Sequence, residues 1–411
     1  MGEILFIAHR VPFPPDRGDK IRSHHILKKL AGLAPVHVAT FGEDERDMAA
    51  QAELAVIAAS HRLVRRSKPL ALAGVEALMR GRPVSVAAFH SRALQGYIDE
   101  LLATRPVTAI YVFSGQMGQY VPDDFGGRVI VDLVDVDSAK FEAYAQSGSG
   151  PMRFVNAREG RLLRNEEARL SGRADRVTLI SRAEAELFAS RLPMTVCEQS
   201  RISVLGNGID SVFFDPAKVR CEPRLAELPG PRIVFTGQMD YAPNVAAAFR
   251  AMDEILPRIR QSFPDASLHI VGRNPPARLS ARDGAGGVHV WGAVEDMRTW
   301  LKGADLALVP LSLARGVQNK VLEAMAMELP LVLTPEAATG IDAADGRDFA
   351  IAESDTDIAT TAIELLEDEP RATAMGSSAR RFVVEHVSWD ASLTALAEIV
   401  GLAGGPARHA A

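Results

Sequence analysis

Lys320 and Glu323 lie three residues apart in ADLALVPLSLARGVQNKVLEAMAMELPLVLT. On a helix that spacing sets both side chains on one face. A cation and a carboxylate one turn apart suit a ligand with phosphate at one end and sugar hydroxyls at the other, such as a nucleoside-diphosphate sugar. The loop before them holds Arg315, Gly316, Val317, Gln318 and Asn319. A helix that starts there presents free N–H groups and the positive pole of its dipole, both favourable to phosphate. An ordinary strand–helix connection with solvated charges has the same composition, and folds of this class host many functions.

Other candidates follow the ends of strand-like runs, where open parallel sheets bind their ligands. After the first run come Gly18, Asp19 and Arg22: a glycine at a helix mouth, then a cation in the first turn. His9 closes that same run and can meet a sugar or move a proton, or simply be a hydrogen-bonded wall residue. In the stretch FTGQMDYAPN, Gly237 permits close backbone approach, Gln238 follows it, and Asn244 is expected to cap the next helix. Arg273 in VGRNPP is a candidate phosphate or hydroxyl ligand, and the backbone at Ala293 and Val294 can read a nucleobase edge. Asp132, Asp135 and Asp137 in VDLVDVDS can bind sugar hydroxyls or a divalent cation, or serve as caps and turns. No metal is expected, because the cationic phosphate site needs none. The dinucleotide fingerprint G-x-G-x-x-G is missing after the first strand, which argues against a dehydrogenase.

These loops need a β/α scaffold. Apolar runs of strand length stand at Ile4–Ala8, Val36–Thr40, Ala109–Phe113, Val129–Val134 and Val177–Ile180. A second series begins at Ile233–Thr236 and continues at Leu268–Val271, Val288–Trp291, Leu306–Val309, Leu331–Leu333 and Phe349–Ile351. Helix-compatible segments alternate with them, the mark of an α/β fold. Val321, Leu322, Met325 and Ala326 form the core stripe of the helix expected from about Asn319 to Met327. Ser181 and Glu184 form a capping box. Two Rossmann-like domains are expected at 1–210 and 211–387. Residues 388–411 are expected to be a single amphipathic helix, Ser388 to Leu402, and a tail that packs toward the first domain.

Composition narrows the function. The chain has 411 residues, 47% apolar and 24% charged, enough for two globular domains. A net charge of −6 argues against nucleic-acid binding. The two cysteines, Cys197 and Cys221, have no metal-ligand spacing and imply no disulfide scaffold. No apolar stretch is long enough to span a bilayer and no signal peptide is recognisable, so a cytoplasmic location is expected. The first half carries the basic excess, and Arg62, Arg65, Arg66 and Lys68 beside Pro69–Val75 allow a weak contact with the inner face of a membrane.

The chain resembles the retaining GT-B glycosyltransferases of family four. The resemblance rests on the proline-rich loop ending at Gly18, GNGID at 206–210, FTGQMDYAPN, KVLEAMA with Pro330, and Trp389. PPDRGDKIRS, DLVDVDS, MDYAPN and RGVQNKVLEAMAM together are more narrowly similar to sugar transferases of PEP-CTERM/exosortase polysaccharide systems. The resemblance implies a GT-B fold with two doubly wound domains facing across a cleft. It also implies a nucleotide-sugar donor held by the C-terminal half, a glycan or lipid-linked acceptor on the N-terminal half, and no cofactor. Glu323 would hold the donor ribose, with Gly237 and the Gly316–Asn319 backbone around the diphosphate. Arg315 stands where many members have the first Glu of a Glu-x7-Glu pair, and Gln238 and Pro243 replace a common Arg and Lys. Arg315, Arg273 and Lys320 are inferred to supply the missing cations. A nucleotide-sugar epimerase and a catalytically silent scaffold are the alternatives.

Overall fold

The computed structural model describes residues 2–197, 201–314 and 316–402. The chain divides into two units, one of Met1–Gly208 with Ser392–Ala411 and the other of Ile209–Ala391. Each is built on one parallel sheet.

In the first unit the strands are β1 (Glu3–Ala8), β2 (Val36–Gly42), β3 (Ser60–Arg65), β4 (Val107–Phe113), β5 (Arg128–Val134), β6 (Arg176–Leu179) and β7 (Ile202–Val204). Their order across the sheet is β3-β2-β1-β4-β5-β6-β7. β1 is central: Ile4 pairs with Val36 on one side and with Ala109 on the other. Strands covered on both faces must be apolar throughout, which is why β1 is buried at every position. The order of strand addition reverses between β1 and β4, so β1 delivers His9 and the following loop to the switch point.

The second unit has β8 (Arg232–Thr236), β9 (Ser267–Val271), β10 (Val288–Gly292), β11 (Leu306–Val309), β12 (Leu331–Leu333) and β13 (Ala350–Ile351). Their order is β10-β9-β8-β11-β12-β13, with the reversal between β8 and β11. Ile233, Phe235, Leu268, Ile270, Leu306 and Leu308 join Val321, Leu322 and Met325 of the helix Asn319–Ala326 in one buried core. Around the chain's passage between the units, Ile209 N–H donates to Val387 O at 2.8 Å, and Trp389 N–H donates to Ile209 O at 3.2 Å.

Four local expectations are corrected. β3 is a strand that the apolar runs did not mark; it is an edge strand in which only Leu63 is buried. Ser388–Leu402 is not one helix but two short ones, Trp389–Ser392 and Leu396–Ile399. So short a segment has little helical stability of its own, and packing of Leu393, Leu396 and Ile399 sets its path. Ser181 does cap its helix, accepting from Glu184 N–H, but the Glu184 carboxylate accepts from Val136 N–H at 2.8 Å instead of reaching back. Asn244 is the third residue of the helix Ala242–Arg250, whose cap position is Tyr241.

Candidate functional site

The site in the second unit starts from two glycines. Gly237 follows β8 with φ of 154°, and a Cβ there would stand 2.9 Å from Asn244 Nδ2 and 3.3 Å from Lys320 Cε. Gly272 follows β9, and its Cβ would meet the carbonyl oxygen of Gly237 at 1.6 Å. Both positions exclude a side chain. The strand ends are then tied together: Gly237 N–H donates to Val271 O (3.1 Å), Gly272 N–H to Gly292 O (2.8 Å) and Met239 N–H to Arg273 O (2.9 Å).

Onto this floor the helix Asn319–Ala326 turns Lys320 and Glu323. Its cap residue Gln318 is extended, and among the described residues its side chain makes no capping hydrogen bond. The Gln318 amide instead donates to Gly316 O at 3.0 Å. Lys320 Nζ donates to Asn244 Oδ1 at 2.5 Å and lies 5.3 Å from the centre of the Phe235 ring. Asn244 passes its amide protons to Gln238 O at 2.9 Å, so its task is to hold the lysine over the Gly237 turn.

The electrostatics of this pair favour a bound anion. Burial lowers the Lys320 pKa to about 8, against the opposing pull of Glu323. Burial also raises the Glu323 carboxyl, against Lys320. For each group desolvation outweighs what the other charge returns. Among the described residues none donates a hydrogen bond to the Glu323 carboxylate. A phosphate beside Lys320 and hydroxyls beside Glu323 would satisfy both.

The surrounding pocket has a volume of about 960 Å³, within the range of small-molecule sites. Of the residues expected from sequence, Gly237, Gln238, Arg273, Ala293 and Val294 line it from the strand ends. Val317, Gln318, Asn319, Lys320 and Glu323 line it from the helix side. Gly316 adopts φ of 64° in the loop between them. Arg315 lies outside the described residues. Arg273 is exposed, and its guanidinium donates to the side-chain oxygen of Gln238, which orients it at the pocket edge.

Several lining residues were not expected. Gly272 and Asn244 had a sequence signal, since both stand in the motifs that follow β8 and β9. Phe213 and Arg298 had none. Arg298 is gripped by Asp296 at 2.7 Å, donates to Phe213 O at 2.8 Å, and covers the Phe213 ring at 3.7 Å. That contact joins positions 85 apart in sequence.

The other expected residues belong to the first unit. His9 is buried, with Nε2 3.3 Å from Asp19 Oδ2 and its ring stacked on Phe113 at 5.8 Å. Its Nδ1 has no hydrogen-bond partner among the described residues. Burial raises the Asp19 carboxyl, but hydrogen bonds from His9 and Arg10 outweigh this and hold it well below the ordinary range. Gly18 opens the helix Gly18–Leu33 with open space around its Cα.

Arg22 and Asp132 have a different task from the one expected of each. Arg22 is 1% and Asp132 0% exposed. Arg22 Nε and a terminal nitrogen donate to the Asp132 carboxylate at 3.1 and 3.2 Å, and its other terminal nitrogen donates to Asn207 at 3.0 Å. Tyr111 Oη donates to Asp132 at 2.9 Å. The pair is a buried strut, not a pair of ligands on a surface. Asp135 is half-buried, and burial raises its carboxyl against the pull of Lys140. Asp137 sits in the first turn of the helix Asp137–Ser147, 3.1 Å from Lys140. The three carboxylates thus go separate ways, and among the described residues no group of three His, Cys, Asp or Glu is placed to hold a metal ion.

With this geometry in place, known proteins show what the second unit is similar to. Residues 230–368 match the family of glycosyl transferases group 1. The match holds every strand of the second sheet and the Lys320–Glu323 helix. A mannosyltransferase of Mycolicibacterium smegmatis, the GDP-mannose-dependent alpha-(1-6)-phosphatidylinositol monomannoside mannosyltransferase, is 28% identical over 251 residues. That alignment takes in 56% of this chain and 63% of the relative, so somewhat less than two thirds of the relative's length is spanned. Among solved structures, Anabaena HepE in complex with UDP superposes with a TM-score of 0.59 at 14% identity, covering 96% of this chain and 98% of that one. A glycosyltransferase from Rickettsia africae gives 0.59 at 13% identity over 98% and 99%. At these identities the likeness concerns the fold, which is that of the GT-B glycosyltransferases.

Proposed function

We propose that this protein is a retaining, metal-independent glycosyltransferase. In this reading the second unit holds a nucleoside-diphosphate sugar, and the sugar passes to a hydroxyl of a glycan or lipid-linked acceptor during exopolysaccharide synthesis in the cytoplasm. One observation carries the reading: Lys320 and Glu323 open into a single pocket floored by Gly237 and Gly272, at the start of the helix Asn319–Ala326.

Cleaving a glycosyl phosphate builds negative charge on the leaving diphosphate and positive charge on the sugar. Lys320, Arg273 and the N–H groups of the first helical turn stabilise the diphosphate, and they are held in place before reaction begins. Glu323 accepts from the donor's ribose hydroxyls. The backbone at Ala293 and Val294 meets the base. The leaving phosphate takes the acceptor's proton on the face from which it departs, so no carboxylate base is required. His9 and Asp19 are read as acceptor-side and donor-side polar contacts of the first unit. Charge on the diphosphate is met by protein cations where a divalent ion would otherwise serve.

The test is thermal unfolding and calorimetry with GDP, UDP, GDP-mannose and UDP-glucose. A ligand present at a hundred times its Kd raises stability by about 2.7 kcal/mol, a readable shift. Binding of at least one, followed by transfer to a glycan or lipid-linked acceptor, supports the reading. Binding of none favours a silent scaffold, and epimerised sugar released from donor alone favours an epimerase.

A further inference from the structure

The helix Leu70–Arg80 of the first unit is built the wrong way round for a soluble surface. Its buried positions are the small residues Ala73 and Ala77, while Leu72, Val75, Leu78 and Met79 are 58%, 55%, 68% and 84% exposed. At 100° per residue those four fall within about one third of the helix circumference, opposite the alanines. A surface helix ordinarily turns its large apolar side chains inward, and an apolar face left in water marks a contact surface.

A second element extends this face. Arg158, on the helix Pro151–Arg173, donates to Ala77 O at 2.9 Å and to Arg82 O at 3.3 Å, which fixes that helix against the end of Leu70–Arg80. Phe154 and Val155 stand one turn earlier on the same face of the helix as Arg158, and they are 77% and 47% exposed. Two neighbouring helices therefore present large apolar groups with no cover from the first unit.

The charge around them is mainly positive. Between positions 62 and 92 the sequence has seven Lys or Arg and one carboxylate, Glu76, in a chain of net charge −6. Lys68 at 2.9 Å and Arg80 at 3.2 Å neutralise Glu76. Arg65 and Arg66 are paired with Glu45 at 2.5 Å and Glu43 at 3.1 Å, so the cations left for a partner are those with no ion pair among the described residues. Arg62, Arg82 and Arg153 are exposed. Apolar side chains ringed by cations are complementary to a bilayer with anionic headgroups.

We propose that the face formed by Leu72, Val75, Leu78, Met79, Phe154 and Val155 seats this protein on an anionic lipid bilayer, with the neighbouring arginines against the headgroups. The proposal rests on, and deepens, the reading of a lipid-linked acceptor, by naming the surface that would meet the membrane. Among the described residues no helix is long and apolar enough to cross a membrane, so the contact is peripheral.

The full chain is sedimented, without any nucleotide sugar, with vesicles of phosphatidylcholine alone and with vesicles in which about one third of the lipid is phosphatidylglycerol. Binding to the anionic vesicles only is expected. Leu78→Glu with Met79→Glu should abolish it, and Arg82→Ser with Arg153→Ser should weaken it by about five-fold for each cation removed. All four positions are exposed, so unchanged melting temperatures serve as the folding control. Failure of the wild-type chain to sediment with anionic vesicles overturns the proposal, and so does equal binding by the Leu78→Glu/Met79→Glu variant. Dimerisation in light scattering that this double variant abolishes also overturns it, by assigning the face to a second copy of the chain. Because no donor is present, each of these failures leaves nucleotide-sugar binding to stand or fall on its own assay.

Discussion

Gly272 Cα passes so close to the carbonyl oxygen of Gly237 that a Cβ at position 272 would stand 1.6 Å from that oxygen. The contact is backbone against backbone, so no rotamer change can relieve it. Gly272→Ala should push the Gly237 turn toward Lys320, whose Cε already lies 3.3 Å from where a Cβ on Gly237 would be. The expected result is a loss of about 1–3 kcal/mol in stability, as overpacking commonly costs, together with at least about ten-fold weaker nucleotide binding in calorimetry. Wild-type affinity in the variant would show that the glycine crossing does not shape the pocket.

On the proposed reading, Lys320 sets the pH range over which a diphosphate binds. With a pKa lowered to about 8 by burial, the lysine is mostly charged at neutral pH and loses its charge as pH rises through about 8. Diphosphate affinity should fall as pH rises through about 8, and binding above that pH should take up a proton. The stability of the ligand-free protein runs the other way. A lysine whose folded pKa lies below its unfolded one binds fewer protons when folded, so stability rises with pH between about 8 and the unfolded value. Lys320→Met should flatten both profiles. Lys320→Ala should lower turnover by about 10²-fold, the usual effect of losing one charge contact to a transition state, and Arg315→Ala should do the same. Nucleotide affinity that is level from pH 7 to 9, measured with about equal precision throughout, would remove Lys320 from the site.

Glu323 reaches the same titration from the other side. Its charge raises the Lys320 pKa in part against burial. Glu323→Gln keeps the hydrogen-bonding shape but removes that charge, so the alkaline limb of nucleotide binding should move to lower pH. Glu323→Ala should in addition raise the KM for donor, because the ribose loses its acceptor. A pH profile identical in Glu323→Gln and wild type would mean that the two groups do not share a field.

How much of this could be read from residues alone depends on the range of the interaction. The central strands announce themselves because burial on both faces demands unbroken apolar runs, and β1, β8 and β11 fall where those runs are. The Lys320–Glu323 face was legible for a similar reason: helical spacing is local. β3 escaped because an edge strand need bury one residue only, Leu63. Arg22 was read as a ligand because nothing in its neighbourhood shows that Asp132, 110 positions away, will meet it. Asn244 was read as a cap from its place before a helix, whereas its hydrogen bond to Lys320 spans 76 positions. Phe213 and Arg298 reach the pocket through a contact of the same long-range kind.

The Arg22–Asp132 pair gives a prediction on stability, not activity. Both side chains are out of water, and the Asp132 carboxylate accepts hydrogen bonds from Arg22, Tyr111 and the N–H of Val134. Removing one member leaves an uncompensated charge in the interior, which costs about 3–5 kcal/mol. Removing both is far cheaper, since a buried pair gains little over apolar groups of similar volume. Arg22→Leu should therefore lower the urea midpoint of the first unit sharply, and Arg22→Leu with Asp132→Leu should recover much of the loss. The readout can separate the units, because all three tryptophans, Trp291, Trp300 and Trp389, belong to the second. Far-ultraviolet circular dichroism should show the early transition while tryptophan fluorescence retains its wild-type midpoint. Were Arg22 a ligand of the donor instead, Arg22→Leu would leave the dichroism transition in place and weaken nucleotide binding alone.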